Sequence, residues 1–435
     1  MSDAREFLLE LVAWYKNDPK YRDYYEIVTS DKKAVLENID RTTAKQLGAH
    51  SYTGKYHLRS LGASVTLKYK NSFKKLLSAY RKHVEENIDE LTDWSLGDPE
   101  LHAVFTRIIE IIVKNNAFLG SAENYLDFCF LPVPIPNACA FLTPIDRRPV
   151  MAFQEGMPLF LHKMSKIVIE ICMRMPVEAY DKIANQALSS DQATASDATQ
   201  KLAGLVDKAV RESADIGAIF VTTVAALVFN GTLSGTGFIP SNEFTVVPGG
   251  TLLQGMETFL VGHEIAHIFH GDLTRSEKQE EVVIDGHETD LIIPASDDEL
   301  AADILGLTLL WNIVAKEGRD GWFGDTNSAI MLSAPDVFFS LYDMLYIFIE
   351  AAAGFSVCER YDSHPSPIRR REVIRQYRQV LFAKSGATET SLSHFLGLKY
   401  DYVIKSLTYY SISIFRNMLA DGNKISPVWV PEWNS

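Results

Sequence analysis

Apolar residues recur at helical spacing along much of the chain. Phe7 to Tyr15 and Ser72 to Ile88 have the periodicity of amphipathic helices, and the same period returns from Met157 to Met175. Leu131-Pro-Val-Pro-Ile-Pro136 cannot be helical and predicts a boundary. Ser189 to Thr199, rich in Ser, Ala, Thr and Asp, predicts an exposed loop that separates an N-terminal helical half from the rest. An apolar helix is expected over Ile216 to Phe229, closed by the Gly/Ser/Thr-rich stretch 231–237. The β-branched run Phe244-Thr-Val-Val247, bounded by Pro248-Gly249-Gly250, predicts a short strand. Helix resumes at about Leu252 and continues to about His270. A further helix is expected from Pro367 to about Gln379, with Ser366 as its N-cap and Pro367 in the first helical position. The pattern predicts a mainly α protein with a small β-sheet, an α+β fold. Its expected parts are a helical N-terminal region (1–200), a central domain (201–385) and a C-terminal helical extension (386–435).

Composition narrows the class. The 435 residues are 47% hydrophobic and 23% charged, the balance of a globular protein. A net charge of −14 argues against a nucleic-acid partner; the one contrary feature is the basic run Arg369-Arg370-Arg371. Four scattered cysteines (Cys129, Cys139, Cys172 and Cys358) form no CxxC pair, suit a reducing compartment and read as small buried apolar residues. Glu10 interrupts the only candidate signal-peptide core. As a helix, Ile216 to Phe229 would reach roughly 21 Å, short of the roughly 30 Å of a bilayer core. Val337 to Val357 is longer but carries Asp343 and Glu350. Both read as buried helices, and the expectation is a soluble cytoplasmic protein without a membrane span.

The chemistry centres on His263-Glu264-Ile265-Ala266-His267. Four residues apart on a helix, the two imidazoles lie one turn apart on one face and can reach a single ion. Glu264, offset around the helix, can take a proton from a water that zinc acidifies to a pKa of about 7. A catalytic site of this kind needs a third protein ligand and an open fourth position. Glu299-Leu-Ala-Ala-Asp303 supplies Glu299 as ligand, with Asp303 on the same face to hydrogen-bond a ligand imidazole. Small residues at 301, 302 and 306 would let this helix approach the histidine helix closely. Glu288 is a weaker candidate, because Ile292 stands four residues on. His270 lies two turns from His263, roughly 10 Å along the axis, and reads as a helix C-terminal cation.

HEIAH followed by ELAAD resembles the gluzincin metallopeptidases, and most closely the family of HtpX and the CAAX prenyl endopeptidases. Asn242-Glu-Phe244 through Pro248-Gly249-Gly250, His270-Gly271-Asp272, and Ser363-His364-Pro365-Ser366-Pro367 followed by Arg370 are similar to further elements of that family. Together these cover about a third of the chain. The strand motif is one residue longer than the family form, and the large N-terminal half has no counterpart there. The resemblance implies a zincin-like core and a soluble, divergent member. It also implies an active-site location for His364 as a catalytic group and for Arg370, whose individual roles stay open.

The expected activity is hydrolysis of peptide bonds in a protein or peptide substrate, with one Zn2+ per chain. The substrate would lie along the predicted strand, against Asn242, Phe244 and Val246. Two alternatives use the same residues: a catalytically silent, metal-binding regulatory protein, and a zinc hydrolase of a non-peptide bond.

Overall fold

The computed structural model describes residues 2–19, 21–22, 95–143, 146–187, 192–233, 236, 245–275, 279–284, 287–292, 296–319, 325–354, 365–385 and 389–429. The predicted helix over 72–88, together with Asn242, Phe244, Cys358 and His364, lies outside these residues.

The chain begins with α1 (Ser2–Asn17) and α2 (Pro99–Asn115), then forms β1 (Phe128–Leu131), β2 (Ala138–Leu142) and β3 (Pro149–Gln154). Next come α3 (Gly156–Met173), α4 (Val177–Ala187), α5 (Gln192–Glu212), α6 (Ala214–Ala225) and α7 (Val246–His270). A one-turn helix (Asp272–Arg275) leads to β4 (Gln279–Ile284) and β5 (His287–Ile292). The remainder is helical: α8 (Ser296–Arg319), α9 (Asp325–Ala353), α10 (Pro367–Ser385) and α11 (Glu389–Ala420). The described residues are thus mainly helical with a small three-stranded sheet and a separate hairpin, consistent with α+β.

Contacts divide the chain into two compact units that do not follow consecutive stretches of sequence. One comprises Met1–Leu159 and Glu264–Pro294, the other Phe160–His263 and Ala295–Ser435. The expected divisions at 200 and 385 cut the chain linearly.

In the first unit β3 is the central strand, parallel to β1 and antiparallel to β2. Phe105 of α2 meets Phe130 and Phe153 edge-on, and Phe7 of α1 does the same with Phe141. These rings give the sheet its apolar cover. The Pro-rich stretch is irregular, as predicted, but it marks no boundary. It joins β1 to β2 inside one sheet, and Gly156 N donates to the Val133 carbonyl. Among the cysteines, Cys129 is buried, Cys172 half-buried and Cys139 exposed on β2, so the expectation of uniform burial fails at Cys139.

The second unit is a helical bundle built around α9 and α11, with α5, α6, α8 and α10 packed against them. The final helical segment is therefore part of the bundle core. Residues 192–199 form the first two turns of α5 instead of the predicted loop. The reason is visible in what is buried: Ala198, Leu202, Val206, Ala209 and Val210 make one helical stripe. α6 ends in a π turn (Ala226–Asn230) at Gly231, whose φ of +66 is the left-handed conformation that glycine adopts without strain.

Residues 326–353 of α9 are long and apolar enough to cross a membrane, and most of their apolar stretch is buried inside the protein. Phe259 of α7 sits edge-on against Phe338 and Phe339 of α9, which ties the histidine-bearing helix into this core.

Candidate metal centre

Helix α7 starts at Val246, not at Leu252, so the strand predicted over 244–247 is absent at Val246 and Val247. Gly249 N donates to the Thr245 carbonyl at 3.0 Å, already an i→i−4 helical bond. Val246, Val247 and Pro248 occupy the first turn, where backbone N–H groups have no intrahelical partner and a proline costs nothing. Val246 is an exposed first-turn residue, and it offers no strand edge to a substrate.

Over its last two turns, α7 presents His263 and His267, both buried. Within the bundle, Glu299 comes from the first turn of α8, where a carboxylate is favoured by the helix dipole. Its Oε2 stands 3.5 Å from His263 Nε2. His263, His267 and Glu299 together form a buried group whose ligand atoms lie within 4.8 Å of one another, and this group could hold a metal ion. Ligand atoms at about 2.1 Å from one ion are at most roughly 4.2 Å apart, so adjustments of about half an ångström would bring all three onto it. Two imidazoles and a carboxylate are the donor set of a catalytic zinc site with one position left for solvent. Glu288, the weaker candidate, falls on β5, and its side chain lies outside the described residues.

The close approach of α7 and α8 has its cause in two glycines. A Cβ on Gly262 would meet the Cα of Gly306 at 3.4 Å, and one on Gly306 would come within 3.2 Å of His263 N. The small residues expected to allow a close crossing therefore do so, with Gly306 as the contact point.

Each imidazole is held from behind by a carboxylate. His263 Nδ1 is 3.0 Å from Asp303 Oδ1, and His267 Nδ1 is 3.2 Å from Asp272 Oδ2. A proton on Nδ1 shared with a carboxylate fixes the tautomer and leaves the Nε2 lone pair for a ligand bond. Asp303 is placed where the sequence pattern put it. Asp272 is the residue that reading passed over. It follows the left-handed Gly271 (φ +70) that ends α7, and this turn folds it back onto the histidine five residues earlier. The HGD triplet was visible, but spacing alone does not say where a chain reversal points the next side chain.

Arg370, from the first turn of α10, reaches the carboxylates of both Asp303 and Glu299. Its Nε and Nη2 donate to the two oxygens of Asp303 at 2.7 Å each, and Nη2 lies 3.3 Å from Glu299 Oε2. Burial alone would raise the Asp303 carboxyl. The Arg370 guanidinium, with hydrogen bonds from Arg370 and His263, outweighs this and holds it below the usual carboxylate range. Ser366 caps α10 by accepting from Arg369 N at 3.3 Å, as predicted. The basic run is therefore no surface patch. Arg370 faces the metal group, Arg371 is buried against Asp401 at 2.8 Å, and Arg369 alone is exposed.

Glu264 is buried on α7 in the first unit, one residue and about 100° around the helix from His263. The same unit contains β2, and the one-turn helix that follows α7 packs against that strand. Comparison of the chain with protein-family models, curated proteins and solved structures gives no match.

Proposed function

We propose that this chain is a zinc-dependent peptidase of zincin-like type. The observation that carries the reading is the buried convergence of His263, His267 and Glu299, with each histidine oriented by its own aspartate. A bound zinc would supply Lewis acidity toward a carbonyl and acidify a water. Glu264 is the group that would accept a proton from the attacking water and return it to the leaving amine as the peptide bond breaks. Asp303 and Asp272 accept from Nδ1 of the two imidazoles, which leaves each Nε2 lone pair for the ion, and Arg370 holds Asp303 in place.

A substrate chain needs an extended partner, and α7 offers none at Val246. The better candidate is β2. It is an edge strand by the order β1-β3-β2, it belongs to the same compact unit as Glu264, and the one-turn helix that follows α7 packs against it. A peptide added along β2 would be held by main-chain hydrogen bonds in a way that tolerates varied side chains. A cytoplasmic location and a protein or peptide substrate complete the proposal.

The test is metal content together with peptide-library cleavage, for wild type beside Glu264→Gln. The expected result is stoichiometric zinc in both proteins, with turnover in wild type only. A Glu264→Gln protein that cleaves at the wild-type rate would refute the mechanism.

A further inference from the structure

Arg370 does more than brace Asp303. Its Nη2 stands 2.7 Å from Asp303 Oδ1, 3.3 Å from Glu299 Oε2, and 3.4 Å from both Nδ1 and Nε2 of His263. The guanidinium thus reaches two of the three candidate metal ligands, which are themselves only 3.5 Å apart. Its carbon lies 4.8 Å from the centre of the Phe339 ring, so the group is fixed from the other side by cation–π contact.

Glu299 and Asp303 are almost fully buried, at 1% and 0% exposure. Two carboxylates at such depth need a cation, and Arg370 supplies one. A divalent ion bound at about 2.1 Å from Glu299 Oε2 and His263 Nε2 would stand near an Nη2 that carries like charge and has no lone pair to offer. The two cations therefore compete for Glu299. Arg370 has a second home already built, because its Nε and Nη2 make a complete two-bond fork on Asp303 without Glu299.

We propose that Arg370 is the standing counter-cation of the metal-free centre, and that Glu299 exchanges this guanidinium for the metal on loading. Arg370 then draws back onto Asp303 alone. The inference rests on the metal-binding reading of this site. Its physical content is an anticooperative coupling between a resident guanidinium and an incoming divalent cation. The resident charge keeps the ligands in place before metal arrives, and the same charge weakens the metal once it is there.

The experiment uses the full chain, with zinc as the probe, and compares wild type, Arg370→Gln and Arg370→Lys. Zinc affinity is measured by competition with a chromophoric chelator, and thermal unfolding is followed with and without zinc. Arg370→Gln is expected to bind zinc about tenfold more tightly than wild type, within the usual range of coupling between sites. Its unfolding midpoint should fall further in the metal-free state than in the loaded state, while Arg370→Lys stays near wild-type affinity. Equal or weaker zinc binding by Arg370→Gln, with equal losses in both states, would make Arg370 an ordinary brace and overturn the exchange. Should Arg370→Gln not fold, the Nε–H resonance of Arg370 in wild type, assigned through Arg370→Lys, decides the matter. It should move on zinc addition, and a resonance indifferent to zinc overturns the proposal. A wild type that takes up no zinc fails the metal reading itself, and the exchange with it.

Discussion

The guanidinium of Arg370 forks the carboxylate of Asp303, with both bonds at 2.7 Å, and the same carboxylate faces His263 Nδ1 at 3.0 Å. One aspartate therefore couples a candidate ligand imidazole on α7 to a cation on α10. Asp303→Asn keeps the shape but removes the charge that fixes the imidazole tautomer. Zinc affinity is expected to fall about 10- to 100-fold, read by chelator competition on the intact protein.

Asp272 performs the same service for His267 from the far side of the Gly271 turn. Asp272→Asn should weaken zinc by a similar factor, about 10- to 100-fold. An unchanged affinity would show that the 3.2 Å contact does not orient the ligand.

A second buried ionic group anchors α10 in the bundle. Asp336 of α9 is wholly buried between Arg375 and Arg378, and it contacts both. Burial alone would raise its carboxyl, but Arg378 and Arg375 outweigh this and hold it below its ordinary value of 3.8. A carboxyl lowered on folding adds stability that is present in full above its unfolded pKa and drains away as pH falls through the folded one. Wild type should therefore lose this contribution below about pH 4. At pH 7, Asp336→Asn strands the buried Arg378 guanidinium, while Arg375 keeps Asp401 at 3.4 Å, and should cost about 3–5 kcal/mol. Denaturant unfolding at pH 7 and in acid checks both statements, because the gap between the two proteins should narrow as pH falls.

Gly306→Leu tests the helix crossing. A Cβ at this position already stands 3.2 Å from His263 N and 3.3 Å from the Phe259 carbonyl, both backbone atoms that cannot swing aside. The larger side chain should cost about 1–3 kcal/mol by overpacking and separate His263 from Glu299. Denaturant melts and zinc titration of the same variant would detect the two effects together.

The convergence of the candidate metal group was legible in the sequence because its logic is local. Four residues place His263 and His267 on one helical face, and four more place Glu299 and Asp303 on another. What was misread depended on context that spacing does not carry. Pro248 resembles a turn residue, yet in a first helical turn it breaks no hydrogen bond, so Val246 and Val247 became helix where β-branching suggested a strand. The polar stretch at 192–199 lacks large apolar residues, but Ala198 alone is enough to continue the buried stripe of Leu202 and Val206. The strand that lies near Glu264 comes from more than a hundred residues upstream, and no period in the chain joins β2 to the histidine helix. Asp272 escaped for a similar reason, since it reaches His267 only after the chain reverses at Gly271.

The first turn of α10 is answerable to two partners at once. Arg370 engages Asp303, while Arg371, Arg375 and Arg378 share a different face and hold Asp401 and Asp336. Each residue advances a helix by 100°, so losing or gaining one position between Ser366 and Arg370 would swing every one of these side chains off its mate. Exchanges at the exposed Ile368 and Arg369 leave that phase untouched. Evolution is therefore free to respell those two letters of the segment, but not to lengthen or shorten the word.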